Sequence, residues 1–248
     1  MVFQTVIGGY RSLELVSWAN GTPAQLAAML DAHYSGRINI ANYWSVGDTR
    51  RVTLEAIDAN DCTSAMSEQL VELVLMNVGG KTLVNAEHGV SNCAFVVGFK
   101  NCLTGFGHYN TSSTAKYTSS AVRAFLNNQL FIALPTDLQN IFKSFVNKTT
   151  EYTGSSRSLV STEDLLALPA TMEVSGTKPS TGILDGEGSL FSYYSTTANR
   201  IKTISGAATS YWTRSALSSS LFAYVTGTGS YSNGDPVSSL GISPFGVI

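Results

Sequence analysis

The sequence predicts an α+β protein with short strands, two or three helices and long ordered loops. Three observations support this prediction. They are one well-capped amphipathic helix, several short apolar runs rich in β-branched residues, and polar stretches that follow neither the helical nor the strand period. With 248 residues, the chain is long enough to bury a substantial core.

The clearest helix begins after Thr22. Thr22 is a favourable N-cap, Pro23 suits the first helical position, and Gln25 occupies the capping-box position. Apolar side chains then recur on one face at helical spacing, and Gly36 ends the helix because glycine accepts the left-handed conformation found there.

Three strands are predicted in the first half of the chain. In the first, Val52, Leu54 and Ala56 alternate and are expected to point inward. The run 69–76 is apolar and β-branched enough to be a central strand, and the run 94–99 is expected to be a third strand.

The middle of the chain predicts two further helices and a loop. Ser119 or Ser120 is expected to cap a helix that reaches Leu130. A second helix is expected over residues 136–145, after the break at Pro135. The polar residues 147–158 are interpreted as a loop.

Neither a repeat nor a polar linker marks a firm domain boundary. A mild break near residues 36–45 predicts an N-terminal strand and helix appendage, residues 1–40, and a main domain, residues 41–248.

Composition excludes several classes of function. Charged residues make up only 13% of the chain, the net charge is −2 and no basic cluster occurs, so no nucleic-acid partner is expected. We expect no membrane insertion, because no apolar run reaches 18 residues, and no secretory signal is visible. The three cysteines are odd in number and lack zinc spacing, which favours free buried thiols.

No group of residues predicts catalysis, and we expect neither a cofactor nor a metal. His33, His88 and His108 lie far apart and lack metal-ligand spacing. Residues 185–188, Asp-Gly-Glu-Gly, could hold calcium, but a solvated turn is favoured since the rest of the calcium-loop pattern is missing. Arg214 is expected to satisfy buried carbonyls.

The C-terminal segment, residues 211–248, is the candidate functional region. It opens with aromatic residues and an Arg-Ser pair, and continues with Ser, Thr, Gly, Asn and Tyr without any Lys, Arg or Glu between residues 216 and 235. This amino-acid composition is typical of recognition surfaces, because tyrosine supplies contact area and the small polar residues supply adaptable hydrogen bonds. A plain β-hairpin with a polar tip is the alternative.

A series of short motifs, in order, resembles a family of domains of unknown function found in prophage structural proteins and in surface proteins of gut Firmicutes. The motifs lie at residues 43–50, 119–127, 133–135, 146–149, 168–176, 187–194, 199–202, 211–215 and 241–245. The resemblance implies a C-type-lectin-like fold, with small twisted antiparallel sheets flanked by helices. It also implies a relation to lectin-fold binding proteins that are diversified by retroelements.

In those diversified proteins the contact residues follow the Trp-Xaa-Arg-Ser motif. Transferred to this sequence, the resemblance implies the ligand-binding residues Leu217, Ser218, Ser220, Tyr224, Thr226, Thr228, Tyr231 and Asn233. Phe222 and Val225 would point inward as supports. The family's usual arginine before the final proline is Ser243 here, and calcium-dependent sugar-binding motifs are missing.

The resemblance implies a receptor-binding adhesin of a phage or prophage tail fibre, located on the virion or the bacterial surface. Its expected partners are a host cell-surface protein or glycan and other tail or virion proteins. A homotrimer would be compatible with this role, although no heptad pattern supports it. The alternatives are a structural virion component without receptor binding and a lectin-fold enzyme; we expect no enzyme.

Overall fold

The computed structural model describes residues 13–113 and 116–248, and β-structure predominates in it. Strands account for 35% of the chain and helices for 18%. The predicted α+β class is therefore wrong, and no C-type-lectin-like fold is identified. The physical reason is that the helices are too short and too scattered to form a layer, whereas polar segments interpreted as loops pair into sheets.

The strands are short and run through most of the described chain. In order they are β1 Thr49–Leu54, β2 Gln69–Val78, β3 Thr82–Glu87, β4 Val90–Asn92, β5 Phe95–Phe99, β6 Phe106–His108, β7 Phe145–Thr153, β8 Ser156–Asp164, β9 Lys202–Ile204, β10 Ala207–Thr209, β11 Tyr211–Ala216, β12 Phe222–Val225, β13 Tyr231–Gly234, β14 Ser239–Gly241 and β15 Phe245–Val247.

One helix is long and the others are single turns or little more. They are α1 Pro23–Tyr34, α2 Ala121–Phe125, α3 Thr136–Gln139, α4 Thr171–Ser175 and α5 Thr197–Arg200, with 3-10 turns at Ile40–Asn42 and Ser192–Ser195 and a π-helical turn at Leu126–Leu130. The capping box predicted for α1 is confirmed: the Thr22 hydroxyl accepts from the Gln25 amide, and the Gln25 side chain accepts from the Thr22 amide.

Sheet 1 has the order β1-β2-β5-β15 and is antiparallel throughout. Strand β2, predicted to be central, lies between β1 and β5, and every residue of β5 is buried. In β1, Val52 and Leu54 are buried as predicted, but Ala56 lies beyond the strand and is exposed. The alternation ends at Leu54 because the Glu55 amide donates to the Ala133 carbonyl and no longer pairs with β2.

Sheet 2 has the order β4-β3-β7-β8 and corrects two predictions. Residues 147–158 are not a loop: β7 and β8 form an antiparallel hairpin of two nine-residue strands. The predicted helix over 136–145 ends at Gln139, and Phe145 begins β7. Polarity was misleading here, because buried Asn147 and Thr149 make side-chain hydrogen bonds within the protein.

Sheet 3 is formed mainly by the C-terminal segment, in the order β13-β12-β11-β14-β6. The β11–β14 pair is parallel and the other pairs are antiparallel. Strands β9 and β10 form a separate hairpin.

The helix α1 shares its core with the rest of the chain. Trp18, Leu26 and Tyr34 are buried in the same apolar cluster as the strands of sheet 1. The Tyr34 hydroxyl donates to the Ile248 carbonyl and accepts from the Ala94 amide. Residues 17–34 therefore pack directly on the sheet that contains β5 and β15.

Candidate binding surface

Strand β11 is the centre of sheet 3, and all six of its residues are buried. The register of its pairing with β12 shifts between Trp212 and Ala216. The three residues between them therefore do not follow the regular β11–β12 pairing. Such irregularities bend a strand and redirect its side chains. The Arg214 amide bonds to Pro169, and its carbonyl accepts from the Thr149 hydroxyl, so this stretch joins sheet 3 to sheet 2.

The guanidinium of Arg214 is fully buried and uses all five of its N–H groups. It donates to three backbone carbonyls and forms a two-point pair with the Glu173 carboxylate, in which Nη2 lies 2.9 Å from Oε1. The predicted role of Arg214 is confirmed. Glu173 also accepts from the Ala170 amide at the start of α4, and Gly188 passes so close that a Cβ there would lie 2.5 Å from its Oε1.

Glu187 is the second buried carboxylate beside Arg214. Its Oε1 accepts from the Thr150 amide at 2.6 Å and its Oε2 accepts from the Ser215 hydroxyl. Burial raises the pKa of Glu187, and Arg214 offsets part of that increase. The interpretation of residues 185–188 as a solvated turn is therefore wrong for Glu187, because its partners come from sheets 2 and 3.

The predicted ligand-binding residues lie at both ends of β12. Leu217 and Ser218 are half-buried and Ser220 is exposed, in the turn that joins β11 to β12. Thr226 is half-buried and Thr228 is exposed, in the turn that joins β12 to β13. Since β12 has four residues, roughly 13 Å of extended strand separates the two turns.

The two tyrosines predicted as contacts lie on opposite faces of sheet 3. Tyr224 is opposite Ser232, whereas Tyr231 is opposite Val225, and side chains alternate along a strand. Tyr224 packs edge-on against Trp212, and its hydroxyl has no hydrogen bond within the described chain. Phe222 and Val225 are fully buried, as predicted.

The hydroxyl of Tyr231 is already used inside the protein. It donates to the Thr171 carbonyl at 2.7 Å, and burial raises the pKa of Tyr231 to about 12. Asn233 is exposed on the edge strand, on the same face as Tyr231. The structure therefore brings Tyr224, Thr226 and Thr228 together at one end of the hairpin and separates them from Tyr231, Asn233 and the 217–220 turn.

A polar cleft of about 410 Å³ lies between sheet 1 and the β9–β10 hairpin and was not predicted. Its lining includes Arg51, Glu72, Asn101, Cys102 and Thr203. These residues come from distant segments, from Arg51 to Thr203, and no local motif marks them, so only the topology could reveal the cleft.

Other features of the described chain bear on chemistry. Cys62, Cys93 and Cys102 are free and buried, as predicted, and burial raises the pKa of each thiol. No group of three or more metal-ligating side chains occurs among residues 13–113 and 116–248. Over the same residues, no helix combines the length and apolarity needed to cross a bilayer.

These features define a β-rich domain in which a buried ionic network joins two sheets behind a polar hairpin. Residues 80–247 match DUF6273, a domain of unknown function, and the chain belongs to that family. The match begins just before β3, so α1, β1 and β2 precede it. Neither the comparison with curated proteins nor that with solved structures returned a match.

Proposed function

We propose that the protein is a binding module, the receptor-binding adhesin of a phage or prophage tail fibre, and that it contacts its receptor through the outer end of the β12–β13 hairpin. We name this surface the hairpin tip and define it by Tyr224, Thr226, Thr228 and Ser232. The tail-fibre setting is supported by the motif resemblance described above, and the location of the contact is supported by the geometry of the hairpin.

The observation that carries the proposal is the contrast between a fixed support and a free polar surface. Behind the tip, Trp212 is fully buried and its indole N–H donates to the Gly107 carbonyl at 3.1 Å. At the tip, the Tyr224 hydroxyl has no partner in the described chain, whereas the Thr226 hydroxyl accepts from the Thr228 and Ser230 amides and contacts the Thr228 hydroxyl at 2.9 Å. A rigid aromatic residue surrounded by small hydroxyls favours binding with little loss of side-chain entropy.

The chemistry of the tip indicates the class of receptor. The four side chains carry hydroxyl groups and no charge, so they offer both donors and acceptors to a neutral polar ligand. A glycan or an uncharged patch of a host surface protein fits this set. An enzyme is less well supported, because each thiol is held protonated by burial in the described structure.

The experiment compares two double variants in adsorption of labelled protein to a panel of gut Firmicutes cells and to a glycan array. Tyr224→Ala with Thr228→Ala should weaken binding about tenfold or more, the effect of about 1.4 kcal/mol. Ser218→Ala with Ser220→Ala removes two hydroxyls at the other end of β12 and should leave binding unchanged. Thermal unfolding of both variants serves as the folding control.

Equal binding by the wild type and the Tyr224/Thr228 variant would overturn the assignment of the tip. Loss of binding only in the Ser218/Ser220 variant would move the contact to the opposite turn. Immunogold labelling of induced prophage particles tests the setting: label at the fibre tip supports an adhesin, and label at the fibre base or capsid supports a structural component.

A further inference from the structure

Lys81 lies in an apolar, aromatic environment that is unusual for an amine. The residue is buried, and its Nζ lies 5.1 Å from the ring centre of Phe245, 5.8 Å from that of Phe145 and 5.9 Å from that of Phe191. Burial lowers the pKa of Lys81 to about 8, although the Glu173 carboxylate opposes the shift. A neutral, nucleophilic amine is therefore much more accessible here than at the protein surface.

An amide carbonyl group lies directly beside this amine. Thr82 pairs with Val146 and Leu83 with Phe145 in antiparallel register, so Lys81 stands opposite Asn147. The Lys81 Nζ is 3.1 Å from the Asn147 Oδ1, and both residues are buried.

A carboxylate is in place to move the proton. Glu173 contacts the Lys81 Nζ through its Oε1 and is fully buried. On the other side of the amide, the Asn147 Nδ2 lies 3.4 Å from Asp164, which is held by Arg123. Glu173 can thus accept a proton from the ammonium of Lys81 and return it to the nitrogen that leaves Asn147.

The balance of positive and negative side chains in the buried network also favours loss of one cation. Glu173 is shared by Arg214 and Lys81, whereas the side chain of Glu187 bonds to Thr150 and Ser215. Two buried cations therefore contact one carboxylate. Removal of the Lys81 charge would leave a matched pair of Arg214 and Glu173, and unbalanced buried charge is costly.

We propose that Lys81 and Asn147 form an intramolecular isopeptide bond, with Glu173 as the proton shuttle. The Lys81 Nζ attacks the Asn147 Cγ, the new N–C bond forms, and the bond from Cγ to Nδ2 breaks. The lysine ammonium and the asparagine amide become a secondary amide and one ammonium ion, so atoms and charge balance and no other reactant is needed. The bond covalently links β7 to the residue before β3.

Intact mass spectrometry of the purified full-length chain tests the proposal. The wild type should be lighter than its sequence by one ammonia molecule. Trypsin should fail to cut after Lys81, and the digest should contain residues 52–100 joined to residues 144–148. Lys81→Arg and Asn147→Ala should each abolish the linked peptide, and Glu173→Gln should slow its appearance after refolding.

Lys148→Arg is the matched control, because Lys148 is next to Asn147 but exposed. It should retain the ammonia loss, and because trypsin also cleaves after arginine, the linked peptide should still end at residue 148. An ammonia loss that persists in Lys81→Arg would mean cyclisation within the backbone at an asparagine and would overturn the proposal. Wild-type protein at its full sequence mass, with the peptides 52–81 and 144–148 separate, would overturn it without recourse to any variant.

Discussion

Strand β11 and the β12–β13 hairpin are neighbours in sheet 3 and draw on the same polar residue types, yet they have opposite surroundings. In β11, Thr213 and Ser215 are fully buried, and each hydroxyl has a fixed partner in the protein. In the hairpin, Thr228 and Asn233 face solvent. Hydroxyls can satisfy a buried ionic network or remain available to a ligand, and composition alone does not distinguish these uses.

The largest expected effect on stability comes from Arg214→Met. This variant tests whether the buried ionic network on β11 supports the β12–β13 hairpin. The change removes one of the two cations that contact Glu173 and leaves three carbonyls without their donor, and breaking a buried pair typically costs 3–5 kcal/mol. We expect a loss of at least about 3 kcal/mol in the free energy of unfolding, measured with urea.

Arg37→Met is the control for this prediction, because Arg37 also pairs with a carboxylate but its side chain is 53% exposed. Exposed ion pairs contribute about 0–1 kcal/mol to the free energy of unfolding, so this variant should lose no more than that. A similar small loss for both variants would show that the network does not hold the sheets together.

A second prediction concerns Lys202, a buried lysine whose Nζ donates to the Phe99 and Lys100 carbonyls at 2.7 and 3.0 Å. Burial lowers the pKa of Lys202 from 10.5 to about 8. Between these values the unfolded chain holds a proton that the folded chain has lost, so this group makes folding more favourable as pH rises from about 8 to 10.5. The gain has an upper bound of about 3 kcal/mol.

Lys202→Met should remove that gain. The free energy of unfolding of the wild type, relative to the variant, should therefore rise between pH 8 and pH 10.5, in urea titrations at each pH. A constant difference would show that Lys202 titrates normally in the folded protein. Lys81 should add no such slope if it is consumed in an isopeptide bond.

The smallest expected effect separates the two tyrosines. Tyr231→Phe removes the hydrogen bond to the Thr171 carbonyl and should lower the free energy of unfolding by about 1 kcal/mol. Tyr224→Phe removes a hydroxyl without a partner in the described chain and should leave stability within about 0.5 kcal/mol. Equal losses would contradict the difference in their surroundings.

Local signals made part of the fold predictable. The helix after Thr22 was predicted correctly because its capping box is contained within four residues. The central position of β2 was predictable from its apolar, β-branched run. Both predictions rest on interactions between residues that are close in sequence or on simple burial.

Predictions were wrong where long-range contacts determine the structure. The β7–β8 hairpin looked like a loop because Thr149 and Asn147 are polar, and their partners Arg214 and Lys81 are 65 and 66 residues away. Glu187 looked solvated for the same reason.

The positions of the candidate contact residues were only partly predictable. Phe222 and Val225 are both buried as predicted, but they are three residues apart and lie on opposite faces of β12, so both faces of this strand are packed. The separation of Tyr224 from Tyr231 depends on the register set by the 226–230 turn, which the sequence does not specify. Their role in ligand binding remains a prediction.

The position of β15 has a consequence for how the protein reaches its native state. This strand covers the open side of β5 and also bridges to Lys143 and Ala167, and the nearby Ser243 hydroxyl bonds to Phe99 across 144 residues. Contacts of such sequence separation slow folding, because loop closure precedes the energetic gain. We expect slow refolding, because β5 gains its second neighbour only when this distant strand pairs with it.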